Sequence, residues 1–210
     1  MKWDLKFKTN LLLGLFVAAL IAANLIGTKI TNIWFVEFSV GIFAFPITFL
    51  ITDIIEEVHG KKKTKEFIYI GFFALVFVLL ITALSVSLPF AERSFVQSEY
   101  TKVFGTTLRI FVASIIAFLI SQLHDVWAFN FWKKKTKGKF LWLRNNLSTV
   151  ASQFIDTTIF MFIAFYAVSP KFTVEYIFAL IIPYWILKII IALFDTPLVY
   201  LGVWWLKKKA

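Results

Sequence analysis

The sequence predicts an all-α, polytopic membrane protein with six transmembrane helices and both termini in the cytoplasm. Hydrophobic residues make up 60% of the 210 residues and charged residues only 16%, with a mean hydropathy of +0.83. Soluble domains contain about 45–50% apolar and about 25% charged residues, so this chain has too little polar surface for a soluble fold. Six apolar stretches supply the roughly 20 residues that each span requires. We therefore expect one multi-pass domain over residues 1–210, in the inner or plasma membrane of the cell.

The first three predicted spans cover residues 11–27, 40–55 and 67–88. The first follows a basic start. Its apolar run of about 17 residues is longer than a signal-peptide core and offers no small-x-small cleavage site, so we expect an uncleaved helix. The second span ends beside the acidic pair Glu56-Glu57, and the third follows a run of lysines.

The last three predicted spans cover residues 106–129, 147–168 and 174–206. The fourth and fifth carry the same short polar pattern, Ser-Gln-x-x-Asp. The sixth is long for a single crossing. Proline interrupts helical hydrogen bonding, and such breaks occur in membrane helices, so we expect Pro183 and Pro197 to bend this segment or to delay its start.

The basic residues determine the predicted orientation. Most of the 22 lysines and arginines lie in four segments: the two chain ends and the loops after the second and fourth predicted spans. These segments are residues 2–8, 61–65, 133–144 and 207–209. Cytoplasmic loops are rich in lysine and arginine. Only an even number of spans puts all four of these segments on one side, and that side is then the cytoplasm.

Several classes of function are disfavoured by composition. The chain has no cysteine and two histidines, which excludes disulfides, thiolate metal sites and a thiol nucleophile and leaves too few histidines for a metal cluster. We expect no catalytic residue, no metal site and no cofactor. The net charge of +10 predicts contact with anionic membrane lipid, and we expect no nucleic-acid partner.

Polar residues within the spans are the candidate functional residues, because ionisable groups in hydrocarbon are expensive. Ser121, Gln122 and Asp125 on the fourth span repeat as Ser152, Gln153 and Asp156 on the fifth. Serine and aspartate four residues apart share one helix face. We expect the two polar stripes to face each other or a cavity.

Two interpretations of these stripes remain open. Serine, glutamine and asparagine hold membrane helices together at about 0.6–2 kcal/mol each, but mid-span carboxylates additionally need a partner or a proton. Lining a cavity, they would accept hydrogen bonds from a small polar solute that is planar or cationic. An intramembrane enzyme would have only Asp125 and Asp156 as a catalytic pair, and no nucleophile or metal constellation supports one.

Three blocks of sequence and part of the sixth span form a recognisable set of motifs. The first block is Thr52-Asp53-Ile54-Ile55-Glu56-Glu57-Val58-His59-Gly60-Lys61. The second starts at Arg109-Ile110-Phe111 and continues through Asp125, and the third runs from Leu141-Trp142-Leu143-Arg144-Asn145-Asn146 to Asp156-Thr157. The sixth span adds Lys188 and Asp195-Thr196-Pro197. These segments resemble the queuosine precursor transporter family, a branch of the vitamin-uptake-like transporters. The departure is His59, where the family often has tyrosine.

The resemblance implies a six-helix inner-membrane importer of 7-deazaguanine precursors of queuosine, 7-cyano-7-deazaguanine and 7-aminomethyl-7-deazaguanine. It also implies a fold similar to the substrate-binding subunits of energy-coupling-factor importers. The residues at family motif positions are Asp53, Glu57, Arg109, Asp125, Arg144, Asn145, Asn146 and Asp156. The predicted binding set adds Ser121, Gln122, Ser152, Gln153 and Lys188. Asp125 and Asp156 would take the donor edge of the solute, and the amides its carbonyl and pyrrole edge.

Three basic residues have a competing structural role. Arg109 lies about 24 Å along its helix from Asp125 at 1.5 Å per residue, so we expect it to pair with a carboxylate near the outer end or to guard the entrance. Arg144 is either part of the site or an interfacial anchor. Lys188 is expected to contact the solute or to neutralise an aspartate across the bundle.

The sequence leaves the mode of transport open. The chain is either a stand-alone transporter or a substrate-binding subunit that needs ATPase partners, and a homo-oligomer is compatible with both. Its energy would come from proton symport through Asp125 or Asp156, or entry would be facilitated and followed by metabolic trapping.

Overall fold

A computed structural model describes residues 3–33 and 36–208 of the chain. It contains six α-helices, a short 3-10 helix and one two-stranded hairpin in this part of the chain. The α-helices are α1 Leu5–Ile26, α2 Phe45–His59, α3 Lys61–Ser87, α4 Gln97–Lys135, α5 Leu141–Phe165 and α6 Val174–Lys207. The all-α architecture agrees with the prediction, although α4 and α5 begin earlier than the apolar stretches that revealed them.

A small antiparallel hairpin follows α1 and was not predicted. Its strands are β1 Ile30–Ile33 and β2 Val36–Ser39. The chain then folds back tightly on the end of α1, where a Cβ added to Gly41 would lie 2.8 Å from the Ala23 carbonyl oxygen and one added to Gly27 2.6 Å from it. Glycine at both positions therefore permits the close approach.

The second crossing combines the 3-10 helix Val40–Phe43 with α2. Five of the six α-helices are long and apolar enough to cross a membrane, and α2, with 15 residues, is not among them. However, His59 at the end of α2 is hydrogen-bonded to Thr9 near the start of α1, with 3.0 Å between His59 Nε2 and Thr9 Oγ1. The 3-10 helix, in contrast, starts beside the end of α1. The two segments together therefore run antiparallel to most of α1.

Both ends of the helix bundle can be named from their contacts. The Lys8 ammonium near the start of α1 donates to the carbonyl oxygens of Trp205 and Lys208 at the end of α6, at 2.8 and 2.9 Å. We call this the terminal end, and we call the opposite end, which carries β1 and β2, the hairpin end. The start of α1 and the end of α6 thus lie together, as an even number of crossings requires.

The lysine-rich segments gather at the terminal end, because α2 ends there, α3 and α5 begin there, and α4 and α6 end there. Lys2 and Lys209 lie outside the described residues. That this end faces the cytoplasm stays a prediction from the positive-inside rule.

Aromatic side chains form the centre of the bundle. The rings of Phe67 on α3 and Phe118 on α4 each lie 6.1 Å from that of Phe16 on α1, and all three residues are fully buried. Large apolar side chains such as Phe73 and Phe194 project outward, 65% and 76% exposed. Helices that are apolar on all sides are typical of a protein whose outer surface contacts lipid.

The sixth span forms a single helix. Both Pro183 and Pro197 lie inside α6, which continues without interruption from Val174 to Lys207. The predicted late start at a proline is therefore wrong. Neighbouring helices and local adjustment make proline tolerable within membrane helices.

Candidate functional site

The polar stripes of α4 and α5 face each other, as predicted. The Ser121 hydroxyl on α4 donates to Asp156 Oδ1 on α5 at 3.2 Å. One helical turn further along, His124 Nδ1 and Ser152 Oγ are 2.9 Å apart. Because α4 and α5 are antiparallel, the repeated Ser-Gln-x-x-Asp pattern brings the serine of one helix to the aspartate of the other.

A buried ion pair joins α5 to α6. The Lys188 ammonium lies 2.8 Å from Asp156 Oδ2, and the two side chains are only 7% and 6% exposed. The ammonium also lies 4.7 Å from the ring centre of Phe45 and 5.3 Å from that of Tyr184. The expectation that Lys188 neutralises an aspartate across the bundle is therefore confirmed.

A first cavity, which we call the outer cavity, lies between this ion pair and the hairpin end. Its empty space, open solvent included, is about 580 Å³. Its polar lining is Asn24, Ser39, Ser114, Asp156, Thr157, Tyr184 and Lys188.

A second cavity, which we call the inner cavity, extends from the same ion pair toward the terminal end. It encloses about 390 Å³ on the same measure. Its polar lining is Asp53 from α2, Asn145, Thr149 and Gln153 from α5, and Lys188 and Asp195 from α6. Phe45 and Lys188 line both cavities.

The inner cavity has an excess of hydrogen-bond acceptors. Asp53 Oδ1, Asn145 Oδ1 and Gln153 Oε1 are buried and have no hydrogen-bond partner within the described part of the chain. Leaving such a buried group unpaired costs about 1–3 kcal/mol, so unpaired buried groups call for a functional explanation. All three residues line the inner cavity, and their acceptor groups suit a ligand that carries several N–H donors.

Two predicted residues of α4 lie behind this wall. Asp125 is 1% exposed, and its Oδ1 has no hydrogen-bond partner among the described residues. Gln122 is fully buried, with neither amide atom hydrogen-bonded among the described residues. Neither side chain lines either cavity, and the inner cavity lies mainly between α2, α5 and α6. A binding site between α4 and α5 stays a prediction.

This arrangement can be compared with known proteins. The family model described as "Putative vitamin uptake transporter" matches residues 39–202, a range that contains every residue of the inner cavity wall. The chain belongs to this vitamin uptake transporter family. It is therefore a multi-pass membrane transporter, in agreement with the five long apolar helices.

Three relatives carry more specific names. A "Probable queuosine precursor transporter" of Bacillus subtilis (strain 168) is 28% identical over 192 residues, which cover 90% of this chain and 82% of the relative. A protein of the same name in Haemophilus influenzae is 30% identical over 65% of this chain and 55% of the relative. The "Queuosine precursor transporter" of Escherichia coli (strain K12) is 28% identical over 65% of this chain and 59% of the relative. No solved structure matches the chain.

A network of charged groups lies at the terminal end of this family member. Glu57 Oε2 lies 2.6 Å from the Arg144 guanidinium and 3.0 Å from the Lys133 ammonium. Arg144 also donates to the Gly138 carbonyl at 2.9 Å and lies 5.3 Å from the ring centre of Phe129. Arg144 is only 1% exposed, so its predicted alternative role as an interfacial anchor is wrong.

Two other predicted site residues contact protein groups away from both cavities. Arg109 donates to the carbonyl oxygens of Ile163 and Tyr166 at the end of α5, both at 2.9 Å. The expected pairing of Arg109 with a carboxylate is therefore wrong, because the unpaired carbonyls of a helix end supply its partners. Asn146 hydrogen-bonds to Thr196 on α6 at 3.0 Å and thereby joins α5 to α6.

The sequence did not reveal Asn24, Phe45 and Tyr184 as lining residues of this transporter. Asn24 could have been found, because it is a polar residue in an otherwise apolar helix, and it lines the outer cavity. Phe45 and Tyr184 carried no such signal among the 26 phenylalanines and 6 tyrosines of the chain.

Proposed function

We propose that this transporter imports precursors of queuosine, namely 7-cyano-7-deazaguanine, 7-aminomethyl-7-deazaguanine or both. The names of the three relatives support this substrate class. We further propose that the protein is not an enzyme, because it belongs to a transporter family.

The acceptor oxygens of the inner cavity are the observation that carries the proposal. A deazaguanine presents adjacent N–H donors on one edge, and Asp53 supplies a carboxylate oxygen that lacks a partner among the described residues. The amides of Asn145 and Gln153 each combine an acceptor with N–H donors for the ring carbonyl. Nucleobases are also recognised by stacking on aromatic rings, and Phe45 and Phe49 line the same cavity.

Most of the remaining predicted site residues divide among three proposed roles. Asp156 and Lys188 line the cavities and are proposed to meet the solute on its path. Ser121, Ser152, Asn146 and Arg109 are proposed to hold helices together, because their polar atoms bond to neighbouring side chains or backbone. Glu57 and Arg144 are proposed to close the terminal end.

The test is binding and uptake by the purified protein in lipid vesicles. Labelled 7-cyano-7-deazaguanine is the substrate, with guanine and biotin as competitors. Asn145→Leu and Gln153→Leu remove groups of the inner cavity. We expect each to weaken binding by about 5- to 30-fold, since a buried hydrogen bond to a ligand is worth about 1–2 kcal/mol. Asn146→Leu is the matched control, because the adjacent Asn146 bonds to Thr196 and lines neither cavity.

The outcomes separate the alternatives. Saturable uptake that the cavity variants lose and the control keeps would support a stand-alone transporter with its site at the inner cavity. Binding without uptake would favour the second candidate, a substrate-binding subunit that needs ATPase partners. Absence of purine binding would overturn the proposed substrate and leave the transporter family in place.

A further inference from the structure

The outer and inner cavities meet at a single ion pair. Lys188 lines both cavities, and its partner Asp156 lines the outer one. The outer cavity reaches Gly27 and Gly41 beside the hairpin, whereas the inner cavity reaches Asn145, next in sequence to Arg144 at the terminal end. The two cavities therefore follow one another along the bundle, with the ion pair between them.

We propose that the Lys188–Asp156 ion pair is a gate between two successive solute sites, one in each cavity. This inference rests on the proposed transport function. The Lys188–Asp156 pair borders the inner cavity on the side of the outer cavity, and the Glu57–Arg144 pair lies toward the terminal end from it. On the proposed path, a solute enters the outer cavity from the hairpin end, passes the gate and reaches the inner cavity.

The contacts of the pair show how it can open without leaving an isolated charge. Ser121 donates to Asp156 Oδ1, so this carboxylate stays oriented while Lys188 occupies only Oδ2. An N–H donor of an incoming solute competes for the same oxygen. The displaced ammonium remains beside the rings of Phe45 and Tyr184, at 4.7 and 5.3 Å from their centres, and such rings attract a cation through their negative faces.

The absence of cysteine in the sequence allows the gate to be tested by thiol labelling, with no ligand required. Ser114→Cys places a thiol in the outer cavity and Thr149→Cys places one in the inner cavity. Ser98→Cys, at an exposed position near the start of α4, reports which vesicles present the hairpin end to the bath. A charged, membrane-impermeant methanethiosulfonate reagent is then added from outside.

Opening the gate should expose only the inner cavity. We expect the thiol of Ser114→Cys to react readily and that of Thr149→Cys to react slowly in the otherwise natural protein. Adding Lys188→Met together with Asp156→Asn, which leaves no buried charge unpaired, should speed the reaction of the inner thiol by about tenfold or more and leave the outer thiol unchanged. A tenfold change corresponds to a shift of about 1.4 kcal/mol in the equilibrium between closed and open gate.

Two further variants protect this test from a folding artefact. Exchanging the partners, with Lys188→Asp and Asp156→Lys, should restore protection of the inner thiol. Lys63→Met with Glu66→Gln removes an exposed ion pair outside both cavities and should leave both labelling rates unchanged.

The proposal is overturned if the inner thiol reacts at the same rate with and without the Lys188–Asp156 pair. It is also overturned if removing the pair changes the labelling rates of the outer and inner thiols by the same factor. Because labelling needs no solute, its failure is distinguishable from failure of the proposed function. A working gate in a protein that takes up no deazaguanine would refute only the substrate.

Discussion

The ion-pair network at the terminal end predicts a large and asymmetric loss of stability when its carboxylate is removed. Arg144 is 1% exposed and Glu57 15%, whereas Lys133 is 33% exposed. Removing one partner of a buried ion pair costs about 3–5 kcal/mol, because the other charge stays buried and unpaired. Glu57→Leu leaves Arg144 with only the Gly138 carbonyl and the Phe129 ring, so we expect a loss of this size.

The other substitutions in the network should cost much less. Lys133→Met removes a charge that already reaches water, and we expect a loss of at most about 1 kcal/mol. Replacing both buried partners, with Glu57→Leu and Arg144→Met, leaves Lys133 free to return to water. We expect this double variant to recover about 2–4 kcal/mol of the loss seen in Glu57→Leu alone, since apolar replacement of a whole buried pair is often close to neutral.

The assay is the free energy of unfolding in mixed micelles, from helical signal as the fraction of a denaturing detergent rises. Lys63→Met is the reference, because it breaks an ion pair of similar length between side chains that are 41% and 45% exposed. A loss in Glu57→Leu no larger than that in Lys63→Met would refute the reasoning, as would a double variant less stable than Glu57→Leu.

Three further predictions concern packing and helix contacts. Gly71→Ala should destabilise the protein by about 1–3 kcal/mol in the same assay, because the added Cβ would lie 2.7 Å from side chains of α1. Gly14→Ala, whose added Cβ would have nothing within 4 Å, should leave stability unchanged or raise it by up to about 1 kcal/mol. Equal effects of the two substitutions would contradict this prediction. A double-mutant cycle of Asn146→Ala and Thr196→Val should give a coupling energy of about 0.6 kcal/mol, whereas additive effects would mean that their hydrogen bond contributes nothing. Arg109→Met should cost about 1 kcal/mol through two lost hydrogen bonds to α5 while binding of the solute stays unchanged, and weakened binding with unchanged stability would instead place Arg109 in the site.

Much of the fold could be predicted because hydropathy and charge act over whole segments. The apolar stretches and the lysine-rich loops correctly indicated six helices with both chain ends at one end of the bundle. The hairpin after α1 escaped prediction, because two four-residue strands leave little periodic signal beside two spans. The early starts of α4 and α5 escaped it too, because a helix can continue past the apolar stretch into polar residues.

The candidate site was predicted only in part. The spacing of the Ser-Gln-x-x-Asp pattern was sufficient to predict that the two polar stripes face each other or a cavity, because helical periodicity determines which residues share a face. The contact of Ser121 with Asp156 came from the structure. Helical periodicity does not determine which other helix packs against the polar face of α4 or α5. For this reason residue spacing could not reveal the roles of Asp53 and Asn145 in the inner cavity or the burial of Arg144.

Hydropathy, charge and local spacing specify the membrane environment, the number of helices and the polar face of each one, since each of these properties depends on residues near one another in the chain. The packing of α2 and α6 against α5 decides the rest. It directs Lys188 to Asp156, separates an outer from an inner cavity, and leaves one oxygen each of Asp53, Asn145 and Gln153 without a hydrogen-bond partner among the described residues. These pairings join residues more than 30 positions apart, and their geometry follows from how whole helices pack in three dimensions.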